Sequence, residues 1–275
     1  GEFVAAEDGK AAVSAWPKGL VWASDGSLWV ADNQNHRILR FSDEGKLIKA
    51  FGQKSGKGQK GPGLLGMPSD LSVGEPGVFV SDPAAHCIHL FSPNGTAVRD
   101  LGVWGTKRGQ VDLPHGIAYF QDQLWVADRG NCQILRFAPD GTYRGGFGAK
   151  SDLPGYLNSP IAVRVTLDGC WILESDSGRL QKFDREGRLK THFLSGSKDA
   201  TGLTIDPWGY LWVTDGEGHL VRRFDSTGKL LLTLNVPQGK TKEWIPTGVT
   251  VRNDGLIAIA DGANRLIHLY RLQKP

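Results

Sequence analysis

Methionine and cysteine are scarce: one and three in 275 residues. Cys87, Cys132 and Cys170 are odd in number and none lies in a C-x-x-C pair, which argues against a disulfide framework. A single bridge between Cys87 and Cys132 stays open, because both fall in matching turns; a reducing compartment is otherwise the default. Nowhere do about 18 apolar residues run together, so no membrane-spanning helix is encoded. The first residues carry no basic-then-apolar signal pattern, and the compartment is left unassigned. There is no G-x-S-x-G, no Walker loop and no H-E-x-x-H. Gly52–Gly58 is glycine-rich and basic but lacks Walker spacing and joins two strands, with no helix N-terminus to hold an anion. A net charge of +3 is too small to point to a partner by itself.

What is abundant is glycine and tryptophan, 37 and nine, in a repeated design. Leu28–Phe41 reads LWVADNQNHRILRF, and the design returns at Leu124–Phe137 and Leu211–Phe224. An acid closes the apolar strand of each copy: Asp32, Asp82, Asp128, Glu174, Asp215 and Asp261, separated by 41 to 50 residues. A first strand precedes each acid's strand and two more follow, joined by turns such as Asp43-Glu44-Gly45 and Pro93-Asn94-Gly95, whose Gly and Asn tolerate positive φ. Four short antiparallel strands at this period mean propeller blades. The expectation is an all-β, six-bladed β-propeller forming one domain over 1–275, with blades near 17–52, 67–102, 113–148, 159–194, 199–235 and 245–275. The sixth unit lacks a fourth strand after Leu266–Tyr270, so residues 2–6 are expected to supply it and hide the edge. A monomer is expected.

The set P-x-G, V-A-D, N-H-R-I and F-x-x-x-G, with Asn35-His36-Arg37 at the signature triplet, resembles the NHL-repeat family over nearly the whole chain. That resemblance implies a six-bladed propeller. It also implies two kinds of function. Tripartite-motif and Brat-like members bind single-stranded RNA or proteins on one face. Peptidyl-hydroxyglycine amidating lyases hold axial zinc with three histidines. Leu113–Ala118 followed by Val126–Arg129 is similar to one lyase blade motif, and Pro68-Ser69-Asp70 to another. Thr201 and Thr247 stand where further metal histidines would be expected, which leaves His115 alone in place.

The six acids read as turn-fixing residues, since an Asp entering a tight turn accepts bonds from amides two or three residues on. The residue after each blade-opening proline or small residue should face the axis: Lys18, Ser69, His115, Ile161, Thr201 and Thr247. With Asp70 and Arg129 nearby, this ring could bind a small polar ligand, and His115 is the one candidate for catalysis. No cofactor is expected, although zinc or calcium in the channel is left open.

Charge separates by face. The interblade loops carry Lys54, Lys57, Lys60, Lys107, Arg108, Lys150, Lys198, Lys240 and Lys242, with Trp104, Tyr156 and Trp244 among them. The opposite turns are rich in acids such as Asp25, Asp168, Asp206 and Asp254, with few cations. Cations for phosphates and aromatics for stacking are what single-stranded nucleic acid requires. The expected function is therefore a binding propeller whose interblade-loop face engages an anionic partner, single-stranded RNA in its most concrete form, or a protein. The alternatives are an axial-site lyase or hydrolase, and lysines that serve only solubility.

Overall fold

A computed structural model describes residues 2–3, 6–7, 10–11, 16–56, 59–197, 199–235 and 244–271. Six four-stranded antiparallel sheets follow one another round a central axis. The first blade is Pro17–Trp22, Leu28–Asp32, Arg37–Phe41 and Leu47–Phe51, and the next four repeat that simple up-and-down order. The first strands of neighbouring blades pack against one another all the way round, which closes the ring. Among the described residues no helix is long and apolar enough to cross a membrane.

The burial pattern follows from strand position. Second strands such as Leu28–Asp32 are buried throughout, because alternate side chains enter the two flanking interfaces. Trp29 and Ala31 pack towards blade 2, while Leu28 and Val30 pack towards blade 6. A strand covered on both faces reads as a continuous apolar run. Outer strands alternate instead, as Leu189–Leu194 does, since one face meets solvent. Phe51, Phe147 and Phe193 of those outer strands wedge against a tryptophan of their own blade and a phenylalanine of the next, at centroid distances of 5.2 to 6.5 Å. Such pairs contribute about 0.5–1.5 kcal/mol each beyond burial.

The last blade, Pro246–Val251, Leu256–Asp261 and Leu266–Arg271, is completed by Glu2–Phe3, with Glu2 opposite His268 and Phe3 opposite Ile267. Of the expected closing segment 2–6, Ala6 pairs instead with Ala11, in the short ladder of Ala6–Glu7 with Lys10–Ala11, and residues 4–5 lie outside the described residues. Cys87, Cys132 and Cys170 are all buried and free, so the bridge left open in the sequence does not form.

One irregularity builds the site. Pro17 pairs with Asp32, but the next pair is Leu20 with Val30, so blade 1 carries one extra residue on its inner strand. The same shift follows the opening residue of blades 3, 4, 5 and 6. Each bulge turns the residue after the opening one towards the axis.

Candidate functional site

The rim of the interblade-loop face is fixed by the six acids. Asp128, fully buried, accepts bonds from Asp112 N (2.7 Å), Asn131 Nδ2 (2.8 Å) and Gln133 Nε2 (2.7 Å). Asp82 takes the amides of Gly66, Met67, Ala84 and Ala85. Asp215 and Asp261 likewise hold the amides of Asp199 and Ile245. Asp82, Asp128, Glu174, Asp215 and Asp261 thus each tie their own turn to the loop entering their blade. The turn histidines pin the following loop: His219 Nδ1 lies 2.7 Å from Trp244 O, and His36 Nδ1 meets Gly66 O. His36, His86 and His219 reach these contacts from left-handed backbone, φ 53° to 56°.

Inside this rim lies an axial funnel of about 300 Å³. All six residues expected to face the axis line it, together with Asp70 and Arg129. The ring is tight where the strands converge: a Cβ on Gly19 would come within 2.6 Å of Asp70 Cα, and one on Gly116 within 2.4 Å of Ala162 Cα. Gly19, Gly116, Gly202 and Gly248 hold equivalent places, and Asp70 is the charged exception. Its carboxylate accepts from the amides of Leu71 (2.9 Å) and Ile117 (3.0 Å) and pairs with Arg164 Nη1 at 2.9 Å. Arg164 also donates to Ile117 O and Val163 O. It lines both the funnel and a second chamber of about 390 Å³ opening on the opposite face, so this ion pair forms the floor between them.

Above the floor, charge is left unmatched. Among the described residues neither Lys18 nor Arg129 makes a hydrogen bond or ion pair through its side chain. Burial, then the charge of Arg129, holds the Lys18 ammonium below the ordinary lysine range, while Asp199 and Asp70 pull it back up. His115 Nδ1 lies 3.3 Å from Ser69 Oγ. Burial first, then Lys18 and Arg129, push its imidazole down to about 3, so the ring is neutral near pH 7. On the far wall, Asp176 is bonded by Ser175 Oγ (2.6 Å) and Ser159 Oγ (3.0 Å), and those bonds lower its carboxyl. Asp199 is raised by burial and by neighbouring Asp215 and Glu217.

The sequence pattern missed Arg164, Asp176 and Asp199. Arg164 had a signal: at its register position the other blades carry Val21, Ser72, Ala118, Thr204 and Thr250. Asp176 and Asp199 had none, because they resemble every other acid in a turn.

The outer rim departs from expectation at Trp244. Trp244 is buried to 1% exposure, donating Nε1–H to His219 O at 2.6 Å and meeting His268 edge-on, so it offers no stacking face. Trp104 (62%) and Tyr156 (47%) are exposed. Lys54, Lys60, Lys107, Arg108 and Lys150 are exposed and make no ion pair among the described residues, and Arg108 lies over the Tyr143 ring at 5.5 Å. Lys57, Lys198, Lys240 and Lys242 lie outside the described residues. The opposite face is less acidic than its turns suggested. Strand cations neutralise part of it: Arg40 pairs with Asp25, Lys182 with Asp168, Arg223 with Asp206, and Arg252 and Arg271 with Asp254.

The funnel does not offer a catalytic-zinc donor set. Among the described residues, no three His, Cys, Asp or Glu side chains converge there; those that do converge are Cys87, His89 and Asp100 in blade 2. Even there, His89 is taken up by carboxylates, with Nδ1 2.6 Å from Asp100 and Nε2 3.5 Å from Asp82. Burial alone would lower its pKa, but the bonds to Asp100 and Asp82 outweigh it and raise it to about 11.

Fold and site together define a six-bladed β-propeller with a polar axial funnel closed at its floor by an ion pair. The NHL-repeat family's model matches residues 15–41 and 112–137, the segments that contribute Lys18, His115 and Arg129. No curated protein matches the chain by sequence. Similar solved structures share the fold. A streptogramin B lyase aligns at TM-score 0.68 and 20% identity, covering 100% of this chain and 87% of its own. A catalytically inactive virginiamycin B lyase from Staphylococcus aureus, solved with quinupristin, aligns at 0.69 and 16%, covering 99% of each. A gluconolactonase from Xanthomonas campestris aligns at 0.70 and 17%, covering 94% of this chain and 86% of its own.

Proposed function

We propose that this protein is a binding propeller that takes a small anionic ligand into its axial funnel. The observation that carries this reading is the pair Lys18 and Arg129, two cations without a side-chain partner among the described residues, both lining the polar funnel. Placing like charges together in a partly desolvated site is unfavourable, and an anion seated between them relieves that repulsion. Neutral His115 and the hydroxyls of Ser69, Thr201 and Thr247 supply hydrogen-bonding groups without adding charge. About 300 Å³ is the lower end for small-molecule sites, which limits the ligand to a few heavy-atom groups.

An axial-site lyase or hydrolase would use the same cavity, and the lyases and lactonase of similar fold favour keeping it in view. His115 would be its base. A base works best when its pKa lies near the operating pH, and His115 at about 3 is a weak one. Binding therefore stands first. Single-stranded RNA across the rim keeps support from exposed Trp104 and Tyr156 beside Lys107, Arg108 and Lys150.

The test is thermal stabilisation by inorganic phosphate and by small carboxylates. Ligand at about 100 times its Kd should stabilise the fold by about 2.7 kcal/mol. Lys18→Gln and Arg129→Gln should abolish that gain, whereas Lys107→Glu with Arg108→Glu should not alter it. A fluorescent single-stranded RNA lost only in the rim double variant would move the function to the rim. Stabilisation that survives loss of both Lys18 and Arg129 would overturn the funnel reading.

A further inference from the structure

The unmatched charge in the funnel is of both signs, and its arrangement is directional. Lys18 comes from blade 1, Arg129 from the turn of blade 3 and Asp199 from the loop entering blade 5. These are alternate blades of a six-membered ring, so the three groups face one another across the axis. They sense one another: Asp199 raises the Lys18 ammonium, while Lys18 and Arg129 both pull the Asp199 carboxyl down. Yet among the described residues the Asp199 carboxylate makes no ion pair within 4.0 Å and no side-chain hydrogen bond.

They do not collapse together because each backbone is held. Asp199 N donates to Asp215 Oδ1 at 3.3 Å and Asp199 O accepts from Gly216 N at 2.8 Å. Arg129 follows Asp128, the three-bonded acid of its turn. Lys18 sits in the strand bulge between Pro17 and Leu20. Of the other charged groups of the cavity, Asp70 is paired with Arg164, and Asp176 accepts from two serine hydroxyls and stays ionised within the field of Arg129. Lys18, Arg129 and the exposed Asp199 are then the charged groups without a side-chain partner among the described residues, spaced on alternate blades around the cavity.

We infer that the ligand is a small zwitterion, its carboxylate between Lys18 and Arg129 and its ammonium against Asp199, in the size range of a free amino acid or a dipeptide. This rests on the anion reading above and adds a second pole to it. Asp215 and Glu217 beside Asp199 deepen the negative potential there, which suits an ammonium and repels the far end of a simple dianion.

The experiment is calorimetric titration of the whole chain with alanine and alanylalanine, each compared with its N-acetylated form, which keeps the carboxylate and loses the ammonium. Whichever free form binds the wild-type protein should do so at least about tenfold tighter than its acetylated counterpart, as expected of a pairing between opposite charges. Asp199→Asn should shrink that preference to about twofold or less while the acetylated form binds as before or better. Lys18→Gln should weaken both forms. Melting of each variant checks that the ring is intact. Equal affinity of free and acetylated forms, or a preference untouched by Asp199→Asn, overturns the zwitterion and leaves the anion reading standing. If phosphate binds and none of the four probes does, the zwitterion likewise falls. If neither phosphate nor any probe binds, the anion reading falls with it.

Discussion

The turn acids and the funnel place the same kinds of charged group within a few residues of one another and treat them oppositely. Asp128 is fully buried and has three donors; Arg129, the next residue, has no partner among the described residues. Two histidines repeat the contrast. His89 lies between two carboxylates whose bonds outweigh burial and hold it protonated, with a pKa raised to about 11, while His115 is held neutral, lowered to about 3 by burial first and then by two nearby cations. Buried polar groups are normally matched, because leaving one unmatched costs stability. Among the described residues, Lys18, Arg129 and Asp199 line one cavity without a side-chain partner, and that convergence is why function is placed there and not in the acid ring, for all its six carboxylates.

The sharpest way to break this contrast is to remove one member of each set. Asp128→Ala strands three donors and should lower stability by about 1–3 kcal/mol in denaturant unfolding. If unfolding is unchanged while ligand binding is lost, Asp128 belongs to the site and the division fails. Lys18→Met removes a partly buried cation that has no side-chain partner among the described residues, so stability should move by no more than about 0.5 kcal/mol or rise. A loss as large as that of Asp128→Ala would make Lys18 a structural residue.

The histidines give a finer test through pH. Between about pH 6.5 and 3 the unfolded chain binds a proton that folded His115 refuses, so stability should fall as pH drops through that window. His115→Gln should flatten that fall. Between about pH 6.5 and 11 folded His89 keeps a proton that the unfolded chain has lost. Its contribution is therefore complete below pH 6.5 and fades as pH rises towards 11. Imidazole NMR between about pH 7.5 and 9 should find His89 charged and His115 neutral, neither titrating. A His115 that titrates near 6.5 would mean that its ring is solvated rather than buried in solution, and the funnel's electrostatics would need redrawing.

The sequence by itself determined the ring. Six acids at propeller spacing, a proline or small residue before each inner strand and glycine turns are local signals, and each acts within one repeat. They gave six blades, the fourth-strand role of the N-terminus, and the six axis-facing positions that include Lys18 and His115. They could not say which side chains meet across the axis, because that pairing joins residues from separate blades. The Arg164–Asp70 floor spans 94 positions in the chain. Trp244 shows the same limit from the other side: in a loop beside lysines it reads as exposed, but His219 of the preceding turn and His268 enclose it. Asp199 looks like any turn acid until blades 1 and 3 are set opposite it. Only closure of the ring decided which charges found partners and which were left facing the cavity.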